Sequence, residues 1–242
     1  MDSLKDQLAV VTGASSGIGK AIALALAKEG AEICLVARRR DALDVVAHEA
    51  QANGARSHVR PADLTLDENV HDLMQGLQRD FERVDVLILC GGAISHGPLE
   101  RASLAEFDLM YRSNLRAHYA LTQALLPLLR KCRGQIVFIN SSAGLRSPAN
   151  VGQFSATQHA LRAVADSLRD EVNADGIRVL SVYPGRTATP RMAALFEKEG
   201  RPYRAGLLMQ PEDIAAMVIH ALSLPRTAEV TDISMRPLMK SY

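Results

Sequence analysis

The eight residues Thr12-Gly13-Ala14-Ser15-Ser16-Gly17-Ile18-Gly19 have the composition of a phosphate cradle. Glycine lacks a Cβ, so Gly13, Gly17 and Gly19 can take φ angles closed to other residues and let the backbone approach a bound pyrophosphate. A helix opening here would turn free N–H groups toward that negative charge, with Ser15 and Ser16 adding hydroxyl donors. The plainer reading is a glycine turn with a serine cap. A second charged feature is Arg38-Arg39-Arg40, with no carboxylate before Asp41. A guanidinium pairs with a ribose 2′-phosphate, whereas an acidic residue there would hold the 2′-hydroxyl and repel that phosphate. The run therefore favours NADP(H) over NAD(H); its alternative is a solvated surface run.

These residues need strands and helices to place them. Leu8-Ala9-Val10-Val11 reads as a buried strand and Lys20 to Glu29 as a helix, so the glycines stand between the two. Glu32 to Ala37 is a second strand, which puts the arginines at its end. A helix from Asp41 to Asn53 closes at Gly54, Ser57 to Arg60 forms a third strand, and Asp67 to Phe81 is an amphipathic helix. Val84 to Cys90 is a fourth strand, stopped by Gly91-Gly92. Ser103 to Arg130 is a long helical region with a break near Tyr111. Gln135 to Asn140, Arg178 to Tyr183 and Glu229 to Met235 complete seven strands, with helices over Gly152 to Ala174 and Pro211 to Ser223. Strict alternation of strand and helix predicts a doubly wound α/β fold of Rossmann type: one parallel sheet, helices on both faces, and a ligand crevice beyond the carboxyl ends of the strands.

Composition excludes several classes. With 48% apolar residues in 242, the chain can bury one sizeable core, and no linker or repeat divides it, so one domain over 1–242 is expected. A net charge of +1 gives no support for a nucleic-acid or membrane partner. No apolar run reaches membrane-spanning length, and Met1 to Asp6 lacks the basic-then-apolar order of a signal peptide, so a cytoplasmic protein is expected. Cys34, Cys90 and Cys132 lack metal-ligand spacing and read as small buried hydrophobes, and no metal site is expected.

The glycine spacing G-x-x-x-G-x-G, preceded by threonine, resembles that of the short-chain dehydrogenase/reductase family, and the resemblance extends over nearly the whole chain. It implies an oxidoreductase acting on a carbonyl or alcohol. Asp63-Leu64 resembles the family pair beside the adenine ring, with a helix-capping aspartate as the alternative. Pro184-Gly185-Arg186-Thr187-Ala188-Thr189 resembles the loop that supports the nicotinamide, with Thr187 and Thr189 as hydroxyl donors. Where relatives carry Asn-Asn-Ala-Gly after the fourth strand, this chain has Leu89-Cys90-Gly91-Gly92, which keeps backbone access to the cofactor and loses the asparagine side chains. The family also packs its two long helices into dimers or tetramers, so a homodimer or homotetramer is expected by resemblance.

The family's catalytic set is Asn, Ser, Tyr and Lys. Asn114 resembles the first, and Ser141 the second, thirteen residues before the Tyr position. At the Tyr position stands Phe154, and at the Lys position Gln158. Carbonyl reduction needs a proton for the developing alkoxide, and in the family a tyrosine with its pKa lowered by lysine supplies it. Phe154 has no proton to give; Gln158 has no charge, although its amide could still reach the cofactor ribose. Losing a positioned acid costs about 10²- to 10⁴-fold, and a hydroxyl donor such as Ser141 is worth about 10²- to 10³-fold. Tyr183, at the end of strand six, is the first substitute acid to consider. His159, His96, Tyr111 and Tyr203 follow, the last three only where loops fold over the site. Arg186 to Met209 reads as an irregular lid over substrate. Two functions then compete: an NADP(H)-dependent oxidoreductase with a non-family acid, or a cofactor-binding protein without catalysis, serving as a redox sensor or an inactive subunit.

Overall fold

Seven parallel strands in the order β3-β2-β1-β4-β5-β6-β7 make up the sheet of the computed structural model, which describes residues 4–239. Part of the N-terminal stretch read for a signal peptide, Met1 to Ser3, therefore lies outside the described residues. The strands are β1 Leu8–Thr12, β2 Glu32–Ala37, β3 Ser57–Pro61, β4 Val86–Leu89, β5 Gln135–Ile139, β6 Arg178–Pro184 and β7 Asp232–Met235. β1, β4 and β5 are buried along their whole length, which is why they read as unbroken apolar runs. Successive side chains alternate between faces: Val11 packs with one cluster and Val10 with the other.

On the first face lie α1 Gly17–Lys28, α2 Arg40–Ala52 and α8 Pro211–Leu222, contributing Ile22, Leu26, Leu43, Val46, Ile214 and Val218. On the second lie α3 Asp67–Asp80, α5 Ala117–Arg130 and α6 Gly152–Val172, contributing Leu73, Leu77, Leu121, Leu125, Leu161 and Leu168. Fully burying each such side chain is worth about 1.5–3 kcal/mol. The long helical region is α4 Leu104–Tyr111, one π turn over Arg112–Arg116, and α5; the expected break at Tyr111 is that widened turn.

Two expectations change. The last strand begins at Asp232 rather than Glu229, because the Glu229 carboxylate turns inward to accept from the Val179 N–H of β6 at 2.7 Å. The segment from Arg186 to Met209 is not irregular throughout, for it holds α7 Pro190–Lys198, with Thr189 capping Met192 N–H at 3.1 Å and Pro190 at the first helical position. That Thr-Pro pair is a legible helix start, since proline's missing N–H costs nothing there.

Candidate active site

β1 and β4 are neighbours in the sheet although their chain connections leave in opposite directions, and the crevice opens above their carboxyl ends. Thr12 ties the two ends together. Its hydroxyl donates to Ile88 O at 3.3 Å and accepts from Cys90 N–H at 2.9 Å and Gly91 N–H at 3.1 Å. The turn that follows needs its glycines for two reasons. Gly13 and Gly17 have φ of +65° and +54°. A Cβ on Gly19 would stand 2.4 Å from Gly13 O, so the helix could not approach the strand end with any other residue there. At Ser16, the N-cap of α1, the side chain makes no capping hydrogen bond, which leaves the first N–H groups of the helix for a ligand.

A cavity of about 470 Å³ runs from this turn over the sheet, lined by Gly13, Ser15, Ser16, Arg38, Arg39, Asp63, Leu64, Gly91 and Gly92. Arg40 is not part of it and sits 3.9 Å from Asp44 one helical turn on. Asp63 lines this cavity with Leu64 and does not cap α3, whose N-cap is Leu66; its Oδ1 accepts from Thr65 N–H at 3.0 Å and from the Thr65 hydroxyl at 2.8 Å, forming the loop before the helix. A narrower space of about 150 Å³ continues toward the reacting end, lined by Gly17, Ile18, Gly19, Cys90, Ser141, Phe154, Pro184, Gly185, Thr187 and Thr189. Burial pushes the Cys90 thiol up to about 12, so it is a neutral wall. Arg191 of α7 lines both spaces, a residue that the sequence reading passed over as part of the lid.

Beyond Ser141 and Phe154 lies a third cavity of about 480 Å³, roofed by α7. Ser141 caps the short turn Ser142–Gly144, accepting from Ala143 N–H at 3.1 Å, and faces both this cavity and the narrow one. His96 also lines the larger space. Its Nδ1 is 2.7 Å from Glu199 Oε1, and its ring centroid is 6.3 Å from that of Phe154. The His96 loop is pinned on both sides, by Gly97 N–H to Asn150 O at 2.7 Å and by the Ser95 hydroxyl to Glu106 at 2.6 Å. Burial alone would raise the Glu199 carboxyl, but hydrogen bonds and charge from His96 and Arg201 hold it below its usual range.

Three residues expected in the crevice lie elsewhere. Tyr183 is 1% exposed and its hydroxyl is buried beside Ser181, Asp232 and Asp166; burial raises its pKa further, so it faces the α6 side of the sheet and offers no proton to the crevice. Asn114 is committed within the protein. Its Oδ1 accepts from Ala93 N–H at 2.7 Å, while Nδ2 donates to Ala93 O at 2.9 Å and to the Thr157 hydroxyl at 3.1 Å. It fastens the loop after β4 to α6 and lines none of the three spaces. Gln158 is buried, lines none of them either, and accepts through its backbone carbonyl from Asn140 Nδ2 at 3.0 Å. His159 bonds to Ser155 O of its own helix. Among the described residues no three His, Cys, Asp or Glu side chains gather as a metal would require.

The glycine turn, the uncapped helix start and the crevice at the β1/β4 switch define a dinucleotide-binding α/β protein. The chain belongs to the short-chain dehydrogenase family, whose profile, described as "short chain dehydrogenase", matches residues 7–200. An uncharacterized oxidoreductase of Staphylococcus aureus is 33% identical over 239 residues, covering 98% of this chain and all of the relative. Glycine betaine reductase of Emericella nidulans is 33% identical over 240 residues, but this chain spans only 19% of that protein's length. An alcohol dehydrogenase from Thermococcus sibiricus, solved with 5-hydroxy-NADP, superposes with a TM-score of 0.88 at 29% identity, covering 98% of this chain and 100% of that one.

Proposed function

We propose that this chain is an NADP(H)-dependent oxidoreductase that reduces a small carbonyl compound, or oxidises the matching alcohol, with His96 in place of the family's tyrosine as proton donor. The observation that carries it is the His96–Glu199 pair, set in the same cavity as Ser141 and Phe154. The residues fit the cofactor: the glycine turn leaves room that any Cβ would fill, and Arg38 and Arg39 line the long cavity, where they would meet the 2′-phosphate. Bound there, the cofactor supplies the hydride. Gly17 to Gly19 would hold its pyrophosphate, and Thr187 and Thr189 its nicotinamide end.

At the reacting carbon a hydride is gained, the C=O π pair moves to oxygen, and that oxygen takes a proton. Ser141 is placed to donate a hydrogen bond to the oxygen as charge develops. With Nδ1–H donated to Glu199, protonated His96 presents Nε2–H to the cavity and is left neutral after transfer. The Glu199 carboxylate, 2.7 Å from Nδ1, orients the ring and fixes which nitrogen faces the cavity. Asn114 acts as a positioning residue through the Ala93 loop. Phe154 forms the wall between cofactor and substrate, and buried Gln158 supports the packing of α6.

A second reading, a cofactor-binding protein without catalysis, is favoured by Phe154 and Gln158 alone. NADPH oxidation against aldehydes, ketones and quinones separates the two, using wild type, His96→Gln and the double variant Phe154→Tyr, Gln158→Lys. Turnover by wild type that His96→Gln loses supports the first; turnover by the double variant alone supports the second. A groove between α5 and α6 lined by Tyr119, Leu126, Val164 and Leu168 suits self-association along these helices, as in other members of the family. Among the described residues no helix is long and apolar enough to cross a membrane.

A further inference from the structure

The same cavity carries guanidinium groups that the transfer of hydride and proton does not use. Arg146, Arg186 and Arg201 all line it, and Glu199 is its one carboxylate among the described residues. Glu199 is already shared: Oε1 bonds to His96 at 2.7 Å and Oε2 to Arg201 at 3.1 Å. The guanidinium carbons of Arg186 and Arg201 lie 5.6 Å and 4.7 Å from the centroid of the Phe196 ring, so two like charges are held against one aromatic side chain. Burial lowers the Arg186 pKa from its ordinary value and the charge of Arg201 lowers it further, while Glu199 opposes both. Arg146 stands exposed at the rim, next to the Ser141–Gly144 turn, and no carboxylate pairs with it among the described residues. Protonating His96 for catalysis adds one more positive charge to this wall.

These charges are not a second cradle for the cofactor. The cavity that holds them shares only Ile94 with the long cavity lined by Arg38 and Arg39, and it lies on the far side of Ser141 and Phe154. Arg146 and Arg201 instead share their cavity with Ser141, where the carbonyl of the substrate would lie.

We propose that this molecule carries a compact oxyanion, a carboxylate or a phosphate, which Arg146 and Arg201 hold at the α7 side of the cavity. An oxyanion offers the planar pair of acceptors that a guanidinium fork matches, and its charge offsets the repulsion between Arg186 and Arg201. Met192, Leu195 and Phe154 give the rest of the cavity an apolar wall, so an apolar body between carbonyl and solvent is accommodated. Holding the anion also fixes the carbonyl toward Ser141 and His96, which raises rate as well as affinity. The proposal rests on the oxidoreductase reading of the site.

The test is a calorimetric titration of the protein saturated with NADP⁺, using two pairs of probes. Benzoylformate is compared with acetophenone, and dihydroxyacetone phosphate with dihydroxyacetone. At least one anion should bind ten-fold or more tightly than its neutral partner, and the phosphate and carboxylate arms tell which oxyanion the site prefers. Arg201→Gln and Arg146→Gln should each cut that preference at least five-fold with NADP⁺ affinity unchanged, and Arg146, being exposed, keeps the test valid if the first variant misfolds. Neutral and anionic probes binding alike, no anion binding at all, or a preference that survives both substitutions overturns the proposal. Failure of NADP⁺ itself to bind is a different result, and it removes the oxidoreductase reading first.

Discussion

The dinucleotide side of the crevice is built from backbone, and the reducing side from side chains brought together across the chain. On the first, Gly13, Gly17, Gly19 and the start of α1 lie within seven consecutive residues, and the Thr12 hydroxyl locks them to the end of β4. On the second, Ser141 follows β5, His96 lies in the loop after β4 and Glu199 ends α7, so α7 must fold over the site before His96 has its partner. Backbone cradles are fixed by geometry, so one residue change breaks them; side-chain constellations can lose a member and recruit another. The proposed role of His96, on the same wall as Phe154, fits that difference.

The comparison breaks most sharply at His96. His96→Gln removes the proton donor and leaves the cofactor cavity intact, so kcat for carbonyl reduction should fall about 10²- to 10⁴-fold while NADPH affinity, measured by fluorescence titration, stays within two-fold. Glu199→Gln should follow with a smaller loss, because the imidazole stays in the cavity and loses only its orienting carboxylate.

The backbone side is tested next. Replacing Arg38 and Arg39 together by glutamine removes charged hydrogen bonds worth about 1.5–3 kcal/mol each. NADPH affinity should drop about 10²- to 10⁴-fold, with NADH affinity nearly unchanged. An equal loss for both dinucleotides would mean that the arginines act on the fold rather than on the 2′-phosphate. Gly19→Ala places a methyl 2.4 Å from Gly13 O. It should cost about 1–3 kcal/mol in stability through overpacking, and weaken NADPH and NADH alike.

The dinucleotide side was legible in the sequence because its signals are local. Glycine spacing, the apolar run before it and the arginines after β2 each sit within a few residues of the cavity they border, and the parallel sheet follows from strand and helix alternation. Element ends were less legible: β7 starts three residues late because the Glu229 carboxylate bonds to Val179, a partner 50 residues away. The substrate side was hidden for the same reason. His96 reads as a lone loop histidine until Glu199, 103 residues on, is placed against it. Tyr183 carried the opposite error, for its place at a strand end suggested the crevice, yet strand alternation turns its ring to the other face. In Arg186 to Met209 the mixture of apolar and basic residues gave no ligand, and only the folding of α7 puts Arg186 and Arg201 on one ring.

A smaller effect lies beneath both sides. His118 on α5 is 1% exposed, and burial pushes its pKa down to about 4 from 6.5. The unfolded chain takes up a proton there below pH 6.5 while the native state does not until about pH 4, so stability falls as the pH drops through that window. Between pH 7 and pH 5 this amounts to about 2 kcal/mol. His118→Leu should flatten the pH dependence of the melting temperature over that range by several degrees; an unchanged slope would place the acid sensitivity in other groups.

The most direct measurement is the pH profile of kcat/KM for NADPH-dependent reduction of benzoylformate or dihydroxyacetone phosphate, whichever binds, by wild type and His96→Gln. A general acid must be protonated to act, so the wild-type rate should fall as pH rises, and the variant should be slow and flat over the same range. A wild-type profile that His96→Gln leaves unchanged in height and shape would contradict the account.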